Sequence, residues 1–412
     1  MVNEYFEINN YGHSLYYYIF ELANFCVLAS LLLFLYKLKY INVNSLIVWT
    51  FLFISPLFFN YFLFSPWFFP DQFQYAGEIA SIKSKGESIS NIAAQGKSSY
   101  GDLEGLFTIS AVNPVTFATS ILGLAPLPNY MTVTSLAFAN KLFLFLTFLW
   151  LKRDFQNENI LLIFFLIPSL ILYSSLSLRD NLIIILSILF LFNILKNRYL
   201  VALVILYPIF FLKIQMATFF ALYFIGRLFF RAHIDKSYLA IFGATILIIS
   251  FVYQEMLLAV INTYRYGFAA EDLDMGNGFY GYAAWGMYGD EIKESITLSS
   301  IPETIFKSLL GLPALLLMPL PWNWTNIFYP IQALESIFLI ILYFGIAVKF
   351  RLFKNQEFLY LSFILLVSLM LYSLLAFNEG TFVRYRFTLF YPFLLAAYYL
   401  AVGQKDLTKF DG

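Results

Sequence analysis

The sequence has few of the residues that usually form metal sites and disulfide bonds. Among 412 residues it contains one cysteine, Cys26, and two histidines, His13 and His233. A single cysteine excludes an internal disulfide and a cysteine zinc site, and two distant histidines do not form a metal cluster. Charged residues make up only 12% of the chain and the formal net charge is +0, so nothing indicates a nucleic-acid partner.

Apolar residues dominate the composition. Hydrophobic residues are 61% and aromatic residues 21% of the chain, and the mean hydropathy is +0.75. A helix needs about 20 apolar residues to cross a bilayer, and such runs recur almost end to end. The pattern predicts an all-α polytopic membrane protein with one integral membrane domain, 1–412, and about eleven transmembrane helices. We expect these spans at 15–36, 45–64, 131–151, 160–175, 181–195, 199–212, 216–230, 237–260, 327–348, 358–377 and 387–402.

The distribution of basic residues predicts the orientation. The flank before the first span is acidic and no small-residue cleavage site follows it, so we expect this span to remain in the mature protein. Lysine and arginine are normally retained at cytoplasmic ends of spans. With the N-terminus outside and the C-terminus cytoplasmic, most basic clusters lie on the cytoplasmic side. These clusters are Lys37/Lys39, Lys152/Arg153, Lys196/Arg198, Arg227/Arg231/Lys236, Lys349/Arg351/Lys354 and Lys405/Lys409.

Two long segments between spans are predicted to lie outside. The first extracytoplasmic loop is 65–130, and the second is 261–326. Each contains an apolar stretch, 106–124 and 305–320, interrupted by proline or polar residues. We interpret both as re-entrant or interfacial segments. The alternative, a thirteen-span protein, places Lys152 and its neighbours outside and gives a poor charge balance.

Four cations break the charge pattern and are the best indication of function. Arg179 and Lys213 fall in short outer hairpins, and Arg384 and Arg386 precede the last span. If their helices are neighbours, the four form a cationic pocket at one membrane depth. Guanidinium groups bind phosphate oxygens bidentately, so we expect an anionic, diphosphate-bearing lipid there. The alternative for Arg179 is a structural ion pair with Asp180.

Asp71 follows the aromatic sequence PWFFP and begins a stretch with helical apolar spacing. One interpretation makes it a catalytic general base held at the membrane boundary, and the other makes it only an N-cap residue. In the second outer loop, glycines and carboxylates surround aromatic residues. Rings and carboxylates together suit sugars, but they also suit an interfacial anchor or a lid. The candidate glycan-binding residues are Tyr280, Tyr282, Trp285 and Tyr288.

Charges within the apolar runs need partners or a wet cavity. Lys141 falls near the middle of its span, and we expect it to pair with Glu21 or Glu335 rather than contact substrate. No cofactor is predicted. A divalent cation remains possible at the acidic group Glu271, Asp272 and Asp274.

Three segments carry a family resemblance: PSLILYSSLSLRDN, GLPALLLMPLPWNW and the terminal RYRFTLFYPFLLAAYYL. Together they resemble bacterial O-antigen, capsule and exopolysaccharide repeat-unit polymerases, mainly in topology and over most of the chain. The resemblance implies a multi-pass enzyme of the bacterial inner membrane that joins oligosaccharide units carried on undecaprenyl diphosphate at the extracytoplasmic face. It also implies that Arg179, Arg384 and Arg386 hold the diphosphate, and that membrane lipid and a chain-length regulator protein are partners. Related O-antigen ligases use a histidine in the large outer loop, which this chain lacks there.

Two other functions remain open. The segment PWFFPDQFQYAGEIASIK is similar to the first outer loop of GT-C glycosyltransferases, which take sugars from polyprenyl phosphates and carry an acid where Asp71 stands. This chain has an additional leading span and a single acid where paired acids are frequent. A lipid-linked oligosaccharide flippase also needs cations within the membrane. Transporters commonly show internal repeats and midplane sites, and this sequence shows no repeat.

Overall fold

The chain is described from a computed structural model, which defines residues 15–63, 72, 75–77, 79, 114–128, 132, 134–155, 157–231, 252–259, 261–262, 265, 296–321, 328–375 and 379–407. Within those ranges every regular element is helical. The chain forms two compact units, Met1–Ala217 and Thr218–Gly412, which are described separately.

The first unit contains eight helices among the described residues, and a ninth begins at its end. They are α1 Leu15–Lys37, α2 Val43–Leu57, α3 Pro114–Leu122, α4 Ser135–Lys152, α5 Glu158–Phe165, α6 Pro168–Ser174, α7 Asp180–Leu195 and α8 Tyr199–Leu212. Helix α9, Ile214–Arg231, continues from the first unit into the second. A π-helical turn, Phe58–Leu63, extends α2 after Pro56, which has no amide hydrogen to continue the regular pattern.

Aromatic packing forms the core of the first unit. The Trp49 ring on α2 is fully buried and meets Phe145 of α4 edge to face, with centroids 4.8 Å apart. Phe148 and Phe165 lie at 5.4 and 5.6 Å from the same indole ring. On the other side of α2, Ile47 is 63% exposed. An apolar outer surface around a packed interior is what a lipid solvent requires.

The second unit is built around α13, Glu379–Leu407, whose side chains are buried from Tyr385 through Ala397. Around it lie α10 Ile301–Leu317, α11 Phe328–Lys349 and α12 Gln356–Leu375. Tyr343 of α11 packs its ring against Phe390 of α13 at 5.4 Å and against Phe358 of α12 at 5.6 Å. Ser373 donates to the carbonyl of Ser308 at 2.9 Å, where α12 passes close to α10.

Four helical segments in the described chain are long and apolar enough to cross a membrane: Val43–Leu63, Ser135–Lys152, Phe328–Lys349 and Gln356–Leu375. They coincide with four predicted spans, and α7, α8 and most of α9 are shorter apolar helices. The protein is therefore an α-helical membrane protein. The count of eleven spans and the orientation stay predictions, and most of the predicted span 237–260 lies outside the described residues.

The predicted single helix over 160–175 was wrong. The structure has two short helices there, α5 and α6, separated at Leu166 and Ile167. Pro168 is the cause, because it occupies the first position of α6 and the preceding Ile167 adopts an extended conformation, with φ −63° and ψ 128°. In the described part of the apolar segment 106–124, which begins at residue 114, the helix α3 has nine residues and is about 14 Å long.

Candidate functional site

The turn between α6 and α7 carries Arg179, and we call residues 175–181 the Arg179 hairpin. Helix α6 ends in serines whose hydroxyls bond back to helix carbonyls: Ser174 to Leu170 and Ser175 to Ile171, both at 2.5 Å. Serine side chains that bond to the backbone in this way compete with continued helix. Helix α7 then begins at Asp180, with Arg179 at the N-cap position. The serine-rich sequence therefore produces a non-helical turn between two apolar helices.

Buried amide side chains from other elements hold this turn. Asn140 of α4 donates to the carbonyls of Leu176 at 2.8 Å and Leu178 at 3.0 Å. The Ser177 amide donates to Gln72 Oε1 at 2.9 Å. Asn60 Nδ2 donates to the Ser175 carbonyl at 3.0 Å. Because these groups are buried, they have no water to exchange with, and the hairpin backbone is fixed.

The amides are also bonded to one another. Gln72 Nε2 donates to Asn60 Oδ1 at 3.1 Å. The Gln72 side chain from the first predicted extracytoplasmic loop and the Asn60 side chain from the second predicted span therefore belong to one hydrogen-bond network. Asn181 Nδ2 donates to the Asn140 carbonyl at 3.0 Å. Its Oδ1 atom, by contrast, is buried and has no hydrogen-bond partner among the described residues.

Arg179 and Lys213 lie at the same end of a helical pair. Helices α7 and α8 pack together and are joined by a turn that contains Lys196 and Arg198. Arg179 begins α7 and Lys213 follows the end of α8, so both are at the end opposite to that turn. The length of α7, 16 residues, separates the two ends by about 24 Å. Both side chains are half-buried, whereas Arg198 is exposed.

Lys141 of α4 contacts the end of α6, just before the Arg179 hairpin, and is fully buried. Its Nζ donates to Ser174 Oγ at 2.6 Å and to the carbonyl of Ile171 at 3.2 Å. Within the first unit, Lys141 has no ion pair with a described carboxylate, so the expected pairing with Glu21 was wrong. The reason is that the end of α6, where helix carbonyls point outward, comes close enough to bind the ammonium group.

The second unit contains the other two cations. Arg386 is buried, with 4% exposure, and its Nη1 donates to the carbonyls of Leu315 at 3.0 Å, Leu316 at 3.0 Å and Met318 at 2.7 Å. These carbonyls are at the C-terminal end of α10, where a cation is electrostatically favoured. Arg384 is half-buried. The structure therefore gives Arg386 a structural role in ending α10, and its binding of a diphosphate stays a prediction.

Glu303 marks the opposite end of α10. Its carboxylate pairs with Lys307 at 2.8 Å and accepts from the Ser299 amide at 2.8 Å. The hydrogen bonds from Lys307 and then from Ser299 lower the pKa of Glu303 from 4.5 to about 2. Ser300 caps the helix by accepting from the Glu303 amide at 3.3 Å.

Other predicted site residues fall outside the described residues. They are Asp71 and the glycan-binding candidates Tyr280, Tyr282, Trp285 and Tyr288, together with the acidic group Glu271, Asp272 and Asp274. Gln72, which follows Asp71 in the chain, does contact the Arg179 hairpin. In the part of the chain that the structure describes, no group of three or more histidine, cysteine, aspartate or glutamate side chains is arranged to hold a metal ion. Whether the four cations converge stays a prediction, because two belong to each unit.

Four amides that hold and flank the hairpin were not predicted from the sequence: Asn60, Gln72, Asn140 and Asn181. Asn140 and Asn181 stand within or beside predicted apolar spans. Amides at such positions bond to other helices, and this signal was present in the sequence. No protein-family model matches this chain, and no curated protein or solved structure was found to be similar to it.

Proposed function

We propose that this protein polymerises undecaprenyl-diphosphate-linked oligosaccharide repeat units at the extracytoplasmic face of the bacterial inner membrane. The observation that supports this function best is the Arg179 hairpin. Asn60, Gln72 and Asn140, three side chains distant in sequence, are buried to fix one short turn that presents a half-buried guanidinium group. Burying polar groups is unfavourable unless they are fully hydrogen-bonded. A turn that only joined two helices would not need three buried amide side chains to hold it.

A guanidinium carried on a fixed turn at the end of an apolar helical pair suits a lipid-linked phosphate. Arginine binds two phosphate oxygens at once, and Lys213 at the same end of the α7–α8 pair adds a second positive charge. Charge develops on the departing diphosphate oxygen during glycosyl transfer. Cations that are already in place stabilise that charge without reorganising. For Arg384 and Arg386, which belong to the second unit, binding of the diphosphate stays a prediction from the sequence.

The proposed reaction is a displacement at the anomeric carbon of the donor unit. A hydroxyl oxygen of the acceptor unit forms the new glycosidic bond while the bond from that carbon to the diphosphate oxygen breaks. The hydroxyl proton passes to a carboxylate, for which we propose Asp71, and undecaprenyl diphosphate leaves as an anion. Tyr280, Tyr282, Trp285 and Tyr288 are proposed to pack against the sugar rings, and a chain-length regulator protein is a proposed partner.

The test uses full-length protein reconstituted in liposomes with a synthetic undecaprenyl-diphosphate-linked repeat unit. We expect the wild type to convert single units into longer carrier-linked chains. Arg179→Ala is expected to lower the rate by about 100-fold or more, as is typical when a preorganised charge-stabilising group is removed. Arg179→Lys retains the charge but loses the fork, and we expect an intermediate rate.

Arg198→Ala is the matched control, because Arg198 is an exposed arginine at the opposite end of α7. It is expected to retain the wild-type rate. An equal loss in both variants, or full activity in Arg179→Ala, contradicts the proposal. Transfer of a single sugar from a polyprenyl phosphate, without elongation, identifies a GT-C-type enzyme instead. Movement of the lipid-linked unit across the liposome without any new bond identifies a flippase.

A further inference from the structure

A second group of cations lies at the other end of the first unit. A cavity of about 510 Å³ opens where α1 ends, α2 begins and α4 ends. Its lining includes Tyr36, Lys37, Lys39, Asn42, Lys152 and Glu158. Lys152 lies two residues before Asp154 in the chain. Asp154 pairs with Lys196, which follows the last residue of α7, at the end of that helix opposite to Arg179. The cavity is therefore distinct from the Arg179 hairpin.

Glu158, the acidic side chain of this cavity, already forms an ion pair and hydrogen bonds. Glu158 Oε2 pairs with Lys152 Nζ at 2.8 Å. Its Oε1 accepts from the Asn42 amide at 3.3 Å and from the Ser45 hydroxyl. Lys152 also donates to the carbonyl of Tyr40. Glu158 and Lys152 thus neutralise each other and fix the wall of the cavity.

Lys37 and Lys39 then remain as uncompensated charges. Both are exposed, and neither forms an ion pair with a carboxylate in the described part of the chain. Lys39 also occupies a left-handed backbone position, with φ 57°, where glycine is favoured. The Tyr40 amide bonds to the Leu35 carbonyl at 2.9 Å across this turn, as in a Schellman helix end. Lysine suits this left-handed position less well than glycine does, but its charge is favourable at the C-terminal end of a helix.

The location determines the kind of anion. The cavity lies at the ends of the candidate spans Val43–Leu63 and Ser135–Lys152, which is the depth of lipid headgroups. Basic pockets between helix ends at this depth bind anionic headgroups. We propose that Lys37, Lys39 and the fixed wall around Lys152 form a binding site for the phosphate of an anionic phospholipid such as phosphatidylglycerol. The site is independent of the proposed polymerase reaction.

The test measures lipid-dependent thermal stabilisation of the purified full-length protein in detergent. Phosphatidylglycerol or phosphatidylcholine is titrated into the micelles, and the lipid concentration at half-maximal stabilisation is recorded. Phosphatidylglycerol is expected to stabilise the wild type more than phosphatidylcholine does. For the double variant Lys37→Gln, Lys39→Gln we expect the phosphatidylglycerol midpoint to rise about 30-fold, since each juxtamembrane lysine contributes about a fivefold effect.

The matched control is Lys349→Gln, Lys354→Gln, which removes two exposed lysines at another helix end, outside this cavity. It should leave the midpoint unchanged. Lys39→Gly covers the case in which the double variant misfolds, because glycine suits the left-handed position, and a rise of about fivefold is expected. Equal midpoints in both double variants, or equal stabilisation by phosphatidylcholine, overturn the proposal. Saturation by millimolar inorganic phosphate alone assigns the site to a free anion and overturns the headgroup assignment.

Discussion

Asn140 shows how strongly a single amide in an apolar helix constrains its neighbourhood. Its Nδ2 satisfies two carbonyls of the Arg179 hairpin, and its own carbonyl accepts from Asn181. Every one of these groups is buried. Without Asn140, two hairpin carbonyls lose a donor in a place that water does not reach. The position of Arg179 therefore depends on a residue that carries no charge itself.

Asn140→Leu is expected to lower the free energy of unfolding by about 2–4 kcal/mol, because two buried carbonyls each lose a donor. The measurement is an unfolding titration in mixed detergent and dodecyl sulfate micelles, followed by circular dichroism. Asn193→Leu is the control, since Asn193 Nδ2 bonds only to the Leu189 carbonyl of its own helix, at 2.7 Å. A similar loss in both variants means that the hairpin contacts of Asn140 contribute little.

Arg384 and Arg386 are two residues apart but have different surroundings. Arg386→Ala is expected to destabilise the second unit by about 2 kcal/mol or more, because the carbonyls at the end of α10 lose a buried charged donor. Arg384→Ala, at a half-buried position, is expected to lower stability less than Arg386→Ala does. The thermal midpoints of both variants in detergent decide this. Equal midpoints contradict a structural role that is particular to Arg386.

At the scale of residues, the charges stood out in the sequence, whereas the amides did not. Arg179 was recognisable because a cation at that end of a span departs from the usual distribution of basic residues. Gln72 carries no such signal, because its importance comes from a contact with a distant segment of the chain. Asn60 stands within a predicted apolar span, as Asn140 does. The partners of Lys141 were also out of reach. They depend on where the end of α6 lies, and that follows from the break at Pro168.

Among the helices, α9 and α12 are in contact over a glycine. Tyr360 Oη of α12 donates to the Leu222 carbonyl at 2.7 Å, and its ring stacks on Tyr223 at 5.4 Å. A Cβ atom at Gly226 would lie 1.8 Å from Tyr360 Oη. The close approach of the two helices therefore requires the absence of a side chain at position 226.

Gly226→Ala is expected to destabilise the second unit by about 1–3 kcal/mol, because Tyr360 must leave its position. Gly345→Ala is the matched control: it lies within α11, and a Cβ there meets nothing within 4 Å. Alanine has the higher helix propensity, so this control should gain about 0.5–1 kcal/mol. Unfolding titrations of the two variants test the contrast, and a gain in both contradicts the packing described for Tyr360.

The start of α10 predicts a dependence on pH. The pKa of Glu303 is lowered to about 2, so its contribution is present above the ordinary value of 4.5 and is lost as the pH falls towards 2. Glu303→Gln is expected to lower the thermal midpoint at pH 6 and to have a smaller effect at pH 3. Because Glu303 and Lys307 are both partly exposed, we expect the difference to be small and to decrease at high salt. An equal effect at both pH values contradicts the ion pair.

For elements, the apolar runs predicted the helices well. Four predicted spans match helices long enough to cross a membrane, since a run of about 20 apolar residues leaves few alternatives to a helix. The break in 160–175 was missed because the run remains apolar on both sides of Pro168, and hydropathy does not register a proline. Proline also lies inside α8 and α13 without ending either helix, so the residue alone does not decide the outcome.

Each of the two units combines an apolar outer surface with a closely packed apolar interior that also contains some buried polar side chains. Trp49 and Phe53 pack inward from α2, while Phe62 in the adjoining turn is 78% exposed. In the first unit the basic residues Lys152 and Lys196 lie at one end, tied to Glu158 and Asp154. This separation of charge along the helices agrees with a protein that crosses a bilayer, and it allows the predicted orientation to be tested.

Single cysteines introduced into a Cys26→Ser background report sidedness in intact cells. Arg198→Cys lies in the turn that joins α7 and α8, and Lys213→Cys lies at the opposite end of α8, about 21 Å away. We expect an impermeant thiol reagent added outside to label position 213 and not position 198. Labelling of position 198 alone reverses the predicted orientation, which rests only on the distribution of basic residues.

The fixed backbone of the Arg179 hairpin has a consequence for turnover. A loop that orders only when an anion arrives loses chain entropy at every encounter, at about 1–2 kcal/mol for each residue. In this protein the side chains of Asn60, Gln72 and Asn140 order the hairpin during folding, so that loss of chain entropy does not recur when an anion binds. In the proposed reaction, an arriving diphosphate therefore needs only modest contacts to bind, because its binding does not also have to order the chain. Modest contacts release the carrier readily, as repeated rounds of addition to a growing chain would require.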